Sequence, residues 1–309
     1  MFPIIPANSA AAPSGNQNGI FAYGYTTTYT AISSLVSDVG VVSSDVTGVG
    51  SVRYGPAGTQ YGDDTGIFGF GTAPAGVAGM TNLVSNTGVV ASDTTAVGTA
   101  RNALGACSFG GDQGIFGFGH AGGTYSPPTA MTNLVSNTGV VSSDVTGVGT
   151  VRRMLTACEY GGDKGIFGFG KAHPGATVYS ITNLVSNTGV VASDQAATTG
   201  TARIALSACS FGGDQGIFGF GNYPYDTYTA VTNLVSNTGV VASDTAGVGT
   251  IRQALGSCEF GGDQAIFGFG NASGSNTAVT NLVSNTGVVA SDTTGVGTVR
   301  QEPAACSFN

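Results

Sequence analysis

The chain has 309 residues, of which 52 are glycine and 8% are charged, where an average protein has about 7% glycine and about 25% charged residues. Trp is absent and Glu occurs only at Glu159, Glu259 and Glu302. Helices favour Ala, Leu, Glu, Lys and Gln, whereas this chain is built from Gly, Thr, Ser, Val, Asn and Phe, which predicts an all-β fold.

Hydrophobic residues make up 41% and the mean hydropathy is +0.21, enough to supply a core and to exclude a disordered chain. The net charge of −8 comes from 17 acids and 9 bases with no basic cluster, so nucleic acid is not expected as a partner. No apolar run approaches the roughly 18 residues of a membrane-spanning helix, so membrane insertion is not expected. Met1 to Pro6 carry no basic region of the kind that opens a signal peptide, and none is expected.

Residues 1–14 precede the repeated part of the chain. Phe2, Ile4 and Ile5, beside Pro3 and Pro6, suggest a docking arm that orders on a neighbouring subunit; a loose terminus is the alternative. From residue 15 to 309 the sequence repeats. Gly-Ile-Phe-Gly-Phe-Gly at 114 recurs from 66, 165, 216 and 265 (Ala265 there), with a variant, GIFAYG, from 19. Thr132-Asn133-Leu134-Val135-Ser136-Asn137-Thr138-Gly139 recurs from 81, 182, 232 and 280, with a diverged copy from Ser33. Every copy ends on an arginine: Arg53, Arg101, Arg152, Arg203, Arg252 and Arg300. A period near 50 marks one supersecondary unit copied around a ring or along a solenoid.

Within a unit, residues 155–160 predict a first strand and Gly161-Gly162-Asp163-Lys164 a tight turn. Residues 165–170 predict the second strand and Ile181 to Val185 the third, with a variable loop between them. Ser186-Asn187-Thr188-Gly189 reads as a hairpin turn and Val190 to Ser193 as a fourth strand. Four antiparallel strands in some 50 residues suit one blade of a propeller. The sequence stops at Phe308-Asn309, just where the next turn and second strand are due, and Gly15 to Phe21 supply that continuation. This predicts a six-bladed β-propeller closed by pairing of the C-terminal strand with the N-terminal blade, with a solenoid as the minor alternative.

The series Arg-x-x-x-x-small-small, Gly-Gly-Asp-x-Gly-Ile-Phe-Gly-Phe-Gly, variable loop, strand-turn-strand resembles the kelch repeat over residues 15–309. Gly-Phe-Gly stands where that family has a glycine doublet, and its later Tyr and Trp are missing. TNLVSNTGVV with GIFGFG is similar in wording to kelch-like proteins encoded by bacteriophages, which implies a virion component assembled in the host cytoplasm.

Cys107, Cys158, Cys209, Cys258 and Cys306 share one repeat position, with Thr59 in the sixth copy. Their spacing fits no metal or disulfide signature, so free, buried packing cysteines are expected. The six arginines form a ring if the units are equivalent, either structural, paired with Asp45, Asp93, Asp144, Asp194, Asp244 and Asp292, or anion-binding at a channel mouth. His120 and His173 are too few for a metal centre, and identical repeats do not bring different catalytic groups together, so neither an enzyme nor a cofactor is expected. The loops between the second and third strands differ in every copy, while the Gly-Gly-Asp and Ser-Asn-Thr-Gly turns hardly change. Tyr125, Tyr179, Tyr223, Tyr225 and Tyr228 on those loops are candidate contacts for a protein or glycan; unconstrained drift is the alternative. The expected role is a non-enzymatic structural or adsorption component of a phage particle (capsid decoration, tail or fibre protein) that contacts other virion proteins and a host glycan or receptor. A cytosolic kelch-like adaptor or a glycan-binding propeller is the alternative, and the near-identical repeats also fit a recently amplified or consensus-engineered chain.

Overall fold

The computed structural model describes residues 17–95, 97–122, 126–175, 177–196, 198, 200–223 and 227–308. It is all-β and antiparallel, with no helix among the described residues. Six three-stranded sheets carry the fold. The first combines β1 (Asn18–Tyr25) and β2 (Tyr29–Val36) with the last strand of the chain. The second holds β3 (Ala57–Tyr61), β4 (Thr65–Gly69) and β5 (Thr81–Val84), and the third β6 (Gly105–Phe109), β7 (Gln113–Gly117) and β8 (Thr132–Val135). The fourth holds β9 (Thr156–Tyr160), β10 (Lys164–Gly168) and β11 (Thr182–Val185). The fifth holds β12 (Ser207–Phe211), β13 (Gln215–Gly219) and β14 (Thr232–Val235). The sixth holds β15 (Gly256–Phe260), β16 (Gln264–Gly268) and β17 (Thr280–Val283), after which β18 (Ala304–Phe308) completes the first sheet. β18 pairs with β1 in the expected antiparallel register, from Asn18↔Phe308 to Ala22↔Ala304.

The second strand of each unit stops where the backbone turns left-handed: Phe118 has φ 63° and Gly119 φ 97°, and the chain swings out into the variable loop. The first glycine of each Gly-Phe-Gly is required by packing. A Cβ on Gly117 would lie 2.6 Å from the Phe167 ring of the next sheet, and one on Gly168 2.7 Å from Phe218. Phenylalanine and glycine in the same hexapeptide are thus knob and socket across neighbouring sheets.

The fourth strand expected of each unit is not a continuous strand. In the third unit the segment after the Ser-Asn-Thr-Gly turn touches β8 at two isolated bridges, Val135↔Val141 and Thr132↔Val145. Three steps along β8 face four along the partner, so one residue bulges out and the ladder breaks. Side chains fill the gap: Asn133 Nδ2 donates to Ser142 O (3.0 Å) and Asp144 Oδ1 (3.0 Å), and Ser142 Oγ accepts from Leu134 N (2.9 Å).

The core is divided among six clusters, each shared by two sheets. Phe109, Ile115 and Phe118 of the third unit meet Leu155, Phe167 and Val185 of the fourth. The same pattern links each sheet to the next, and the sixth returns to the first through Phe260, Ile266 and Phe269 against Phe21, Val36 and Val42. All five cysteines are free and buried in these clusters. Backbone hydrogen bonds follow the same course. Gly55 N donates to Glu302 O (3.0 Å), Glu302 N to Ala254 O (2.6 Å), Ala254 N to Ala205 O (2.8 Å), Ala205 N to Met154 O (3.0 Å) and Met154 N to Ala103 O (2.9 Å).

Candidate functional site

Strand direction gives the assembly two unlike faces. On one, the Gly-Gly-Asp and Ser-Asn-Thr-Gly turns sit side by side, with Asn137 Nδ2 donating to Asp112 Oδ2 (2.9 Å) and the same bond in the second, fourth, fifth and sixth units. Each Gly-Gly-Asp turn also clasps the next, as when Gly110 N donates to Asp163 O (2.8 Å). That face is nearly sixfold. The other carries the variable loops, each tied to the link that follows an arginine by a bridge such as Asn102↔His120, Ile204↔Asn222 or Gln253↔Asn271.

Among the tyrosines singled out from sequence, Tyr125 and Tyr225 lie outside the described residues, as do Phe2, Ile4 and Ile5 of the N-terminal arm. Tyr223 and Tyr228 lie on the two strands of one short hairpin but turn to different partners: Thr229 Oγ1 donates to the Tyr223 hydroxyl (3.3 Å), and the Tyr228 hydroxyl donates to Asn271 Oδ1 of the next loop (3.3 Å). Tyr179 is half-buried one loop earlier, close to Arg152. Sequence reasoning missed a tighter group on the same face. Tyr25, Tyr29 and Tyr54 pack mutually, with ring centroids 5.8, 5.9 and 5.3 Å apart. The signal was present at Tyr25 and Tyr54, whose positions hold no tyrosine in the other copies, whereas Tyr29 has a counterpart in Tyr228.

The six arginines are fully buried between sheets, and none lines the axial cavity. Arg152 stacks its guanidinium 4.4 Å from the Phe118 ring centroid in the preceding unit. Its Nε donates to Phe169 O (2.8 Å), Nη1 to Thr150 O (3.1 Å) and Nη2 to Asn183 Oδ1 (2.7 Å), with Asp194 at 3.8 Å. Burial pulls the guanidinium down to about 10, still protonated at neutral pH, and the Asp194 charge supports it. Partial burial opposes ionisation of Asp194, but hydrogen bonds from Thr150 and Asn183 and the Arg152 charge outweigh it and hold the carboxyl below its usual range. The ring of arginines therefore works as a set of inter-sheet rivets, with no guanidinium face left open to an anion.

The first strands of the six units surround an axial cavity. Its wider part, about 140 Å³, lies toward the variable-loop face and is walled by Leu104, Leu155, Leu206, Leu255 and Met154, with one charged group, Glu302. Small residues, Gly58, Ala106, Ala157, Ala208, Ser257 and Ala305, form the rung where it narrows. Beyond that rung a space of about 50 Å³ is ringed by Gln60, Ser108, Glu159, Ser210, Glu259 and Ser307. Glu159 accepts a hydrogen bond from Ser108 Oγ and Glu259 one from Ser210 Oγ (3.0 Å). Burial pushes Glu259 up to about 7, and the neighbouring Glu159 adds to the rise. All three glutamates of the chain thus line the axis. Their scarcity, at positions that other copies fill with small residues, Met, Ser or Gln, was the sequence signal.

Compared with known proteins, the sequence matches no family model and no curated protein.

Proposed function

We propose that the six sheets are blades of a closed propeller, and that the chain is a non-enzymatic binding platform serving a phage particle as a structural or adsorption component. Closure is supported by the cyclic sharing of six cores and by the β1–β18 pairing. The virion role rests on the resemblance of the repeat wording.

The observation that carries the platform reading is the contrast between faces. One repeats the same two turns around the molecule, while the other mounts differing loops and the Tyr25–Tyr29–Tyr54 cluster on a scaffold riveted by buried arginines. Exposed and half-buried tyrosines offer rigid, amphipathic contact area suited to a host glycan or receptor. Residues 1–14 are the proposed anchor to other virion proteins.

Electron cryo-microscopy of the assembly from which the chain is isolated tests this. A six-bladed disc fixed to a particle with its variable-loop face outward supports the reading. A free disc that captures a soluble cellular protein through that face replaces it with the adaptor role.

A further inference from the structure

One departure from repetition in the axial cavity places a charged group among apolar ones. Gly55, Ala103, Met154, Ala205, Ala254 and Glu302 occupy equivalent positions, all with φ between 50° and 61°. Five of them are apolar or bare, and the sixth carries a carboxylate at a backbone conformation that disfavours it. Its neighbour in the ring is the single glycine, and the exchange is complementary: a Cβ on Gly55 would fall 2.8 Å from Glu302 Oε2. The carboxylate occupies room that the glycine leaves.

Among the described residues, Glu302 is the only ionisable side chain lining this part of the cavity. Burial alone shifts it, up to about 7, with no hydrogen bond or cation among the described residues to offset that. The one titratable group whose own ionisation senses it is the Tyr54 phenol, which is uncharged below pH 10. A cavity of about 150 Å³ with apolar walls accommodates a ligand of benzene size. A half-buried carboxylate at the rim of such walls, without a counter-charge, is completed by a cation that brings its own hydrocarbon and three donors. A hard metal ion would need several oxygen ligands, and the side chains at the level of Glu302 (Ala103, Met154, Ala205 and Ala254) supply none.

We propose that the axial cavity binds a primary alkylammonium ion, the ammonium pairing with the Glu302 carboxylate and the alkyl chain lying against Leu104, Leu155, Leu206, Leu255 and Met154. The variable-loop face, onto which the wider part of the cavity looks, is then also the side from which a small molecule enters. This site is independent of the virion reading.

Isothermal titration of the full chain with n-butylammonium chloride tests it, at pH 8.5 and pH 5.5, with 1-butanol and calcium chloride as comparison probes. Saturable binding is expected at pH 8.5, where the carboxylate is ionised and the amine protonated. It should weaken about tenfold or more at pH 5.5, in Glu302→Gln and with 1-butanol. No saturable heat up to about 10 mM overturns the proposal. So does equal affinity for 1-butanol, or displacement of the amine by equimolar calcium. The pH pair and the butanol comparison probe the contact without any substitution, so the test stands even where Glu302→Gln fails to fold.

Discussion

Replacing Arg152 with methionine keeps much of the side-chain length and removes the guanidinium. Phe169 O and Asn183 Oδ1 lose their donors, Asp194 loses its counter-charge and the Phe118 ring loses its stacked cation. Breaking a buried charged network by removing one partner costs about 3–5 kcal/mol. With an unfolding entropy of about 2.1 cal/mol/K per residue, 309 residues give about 0.65 kcal/mol/K, so the melting temperature should fall by about 6 °C. The stacking itself is isolated by a double-mutant cycle with Phe118→Leu. A desolvated cation–π pair is worth about 2 kcal/mol, and the two substitutions should be non-additive by about that amount. Val190→Ala, at a site 65% exposed, is the control and should change stability by less than about 0.5 kcal/mol. Thermal unfolding followed by circular dichroism reads all four variants. An Arg152→Met melting temperature within about 1 °C of the parent, or strict additivity with Phe118→Leu, would refute the rivet role.

The acids on the axis and those in the links act in opposite directions with pH. Glu259 and Glu302 are raised to about 7, so between about 4.5 and 7 the folded state holds more protons than the unfolded chain and stability falls as pH rises. Asp45, Asp93, Asp144, Asp194, Asp244 and Asp292 are lowered, and their contribution is lost as pH drops below about 4. Urea midpoints from pH 3 to 9 should therefore peak between about 4 and 5; a maximum near pH 8 contradicts the burial of the glutamates. The five thiols are buried and pushed up by desolvation, so a disulfide reagent at pH 8 should leave them unmodified in the native protein and titrate all five in denaturant. Rapid native labelling would show that the inter-sheet cores open.

Much of the fold was legible because the turns are written in residues with few alternatives. Gly161-Gly162, with φ 67° and 73°, and Gly189, with φ 75°, bracket the strands of a unit, and the third strand starts one residue from its expected position. The fourth strand was misread because Val190 to Ser193 has strand-like composition while Asn183 and Asp194 take over the ladder's hydrogen bonds. Local propensity carries no trace of a bulge imposed by side chains on the neighbouring strand. The arginines were visible as a ring, but their burial was not. Arg152 owes it to Phe118, 34 positions upstream in another sheet, a pairing that repetition alone leaves undetermined. The tyrosine cluster and Glu302 escaped notice for a related reason: a search for what repeats passes over the positions where the copies differ.

The proposed closure of the chain into one ring underlies the platform reading, and amide hydrogen exchange of β1 and β18 tests it most directly. In a closed ring, Ile20, Ala22, Ala304 and Cys306 share the global opening of the molecule and should be protected to the same degree as Cys209 and Ile217 in the fifth sheet. Exchange from β1 and β18 orders of magnitude faster than from β12 and β13 would mean that the terminal sheet frays like the end of an open array, and would contradict the account.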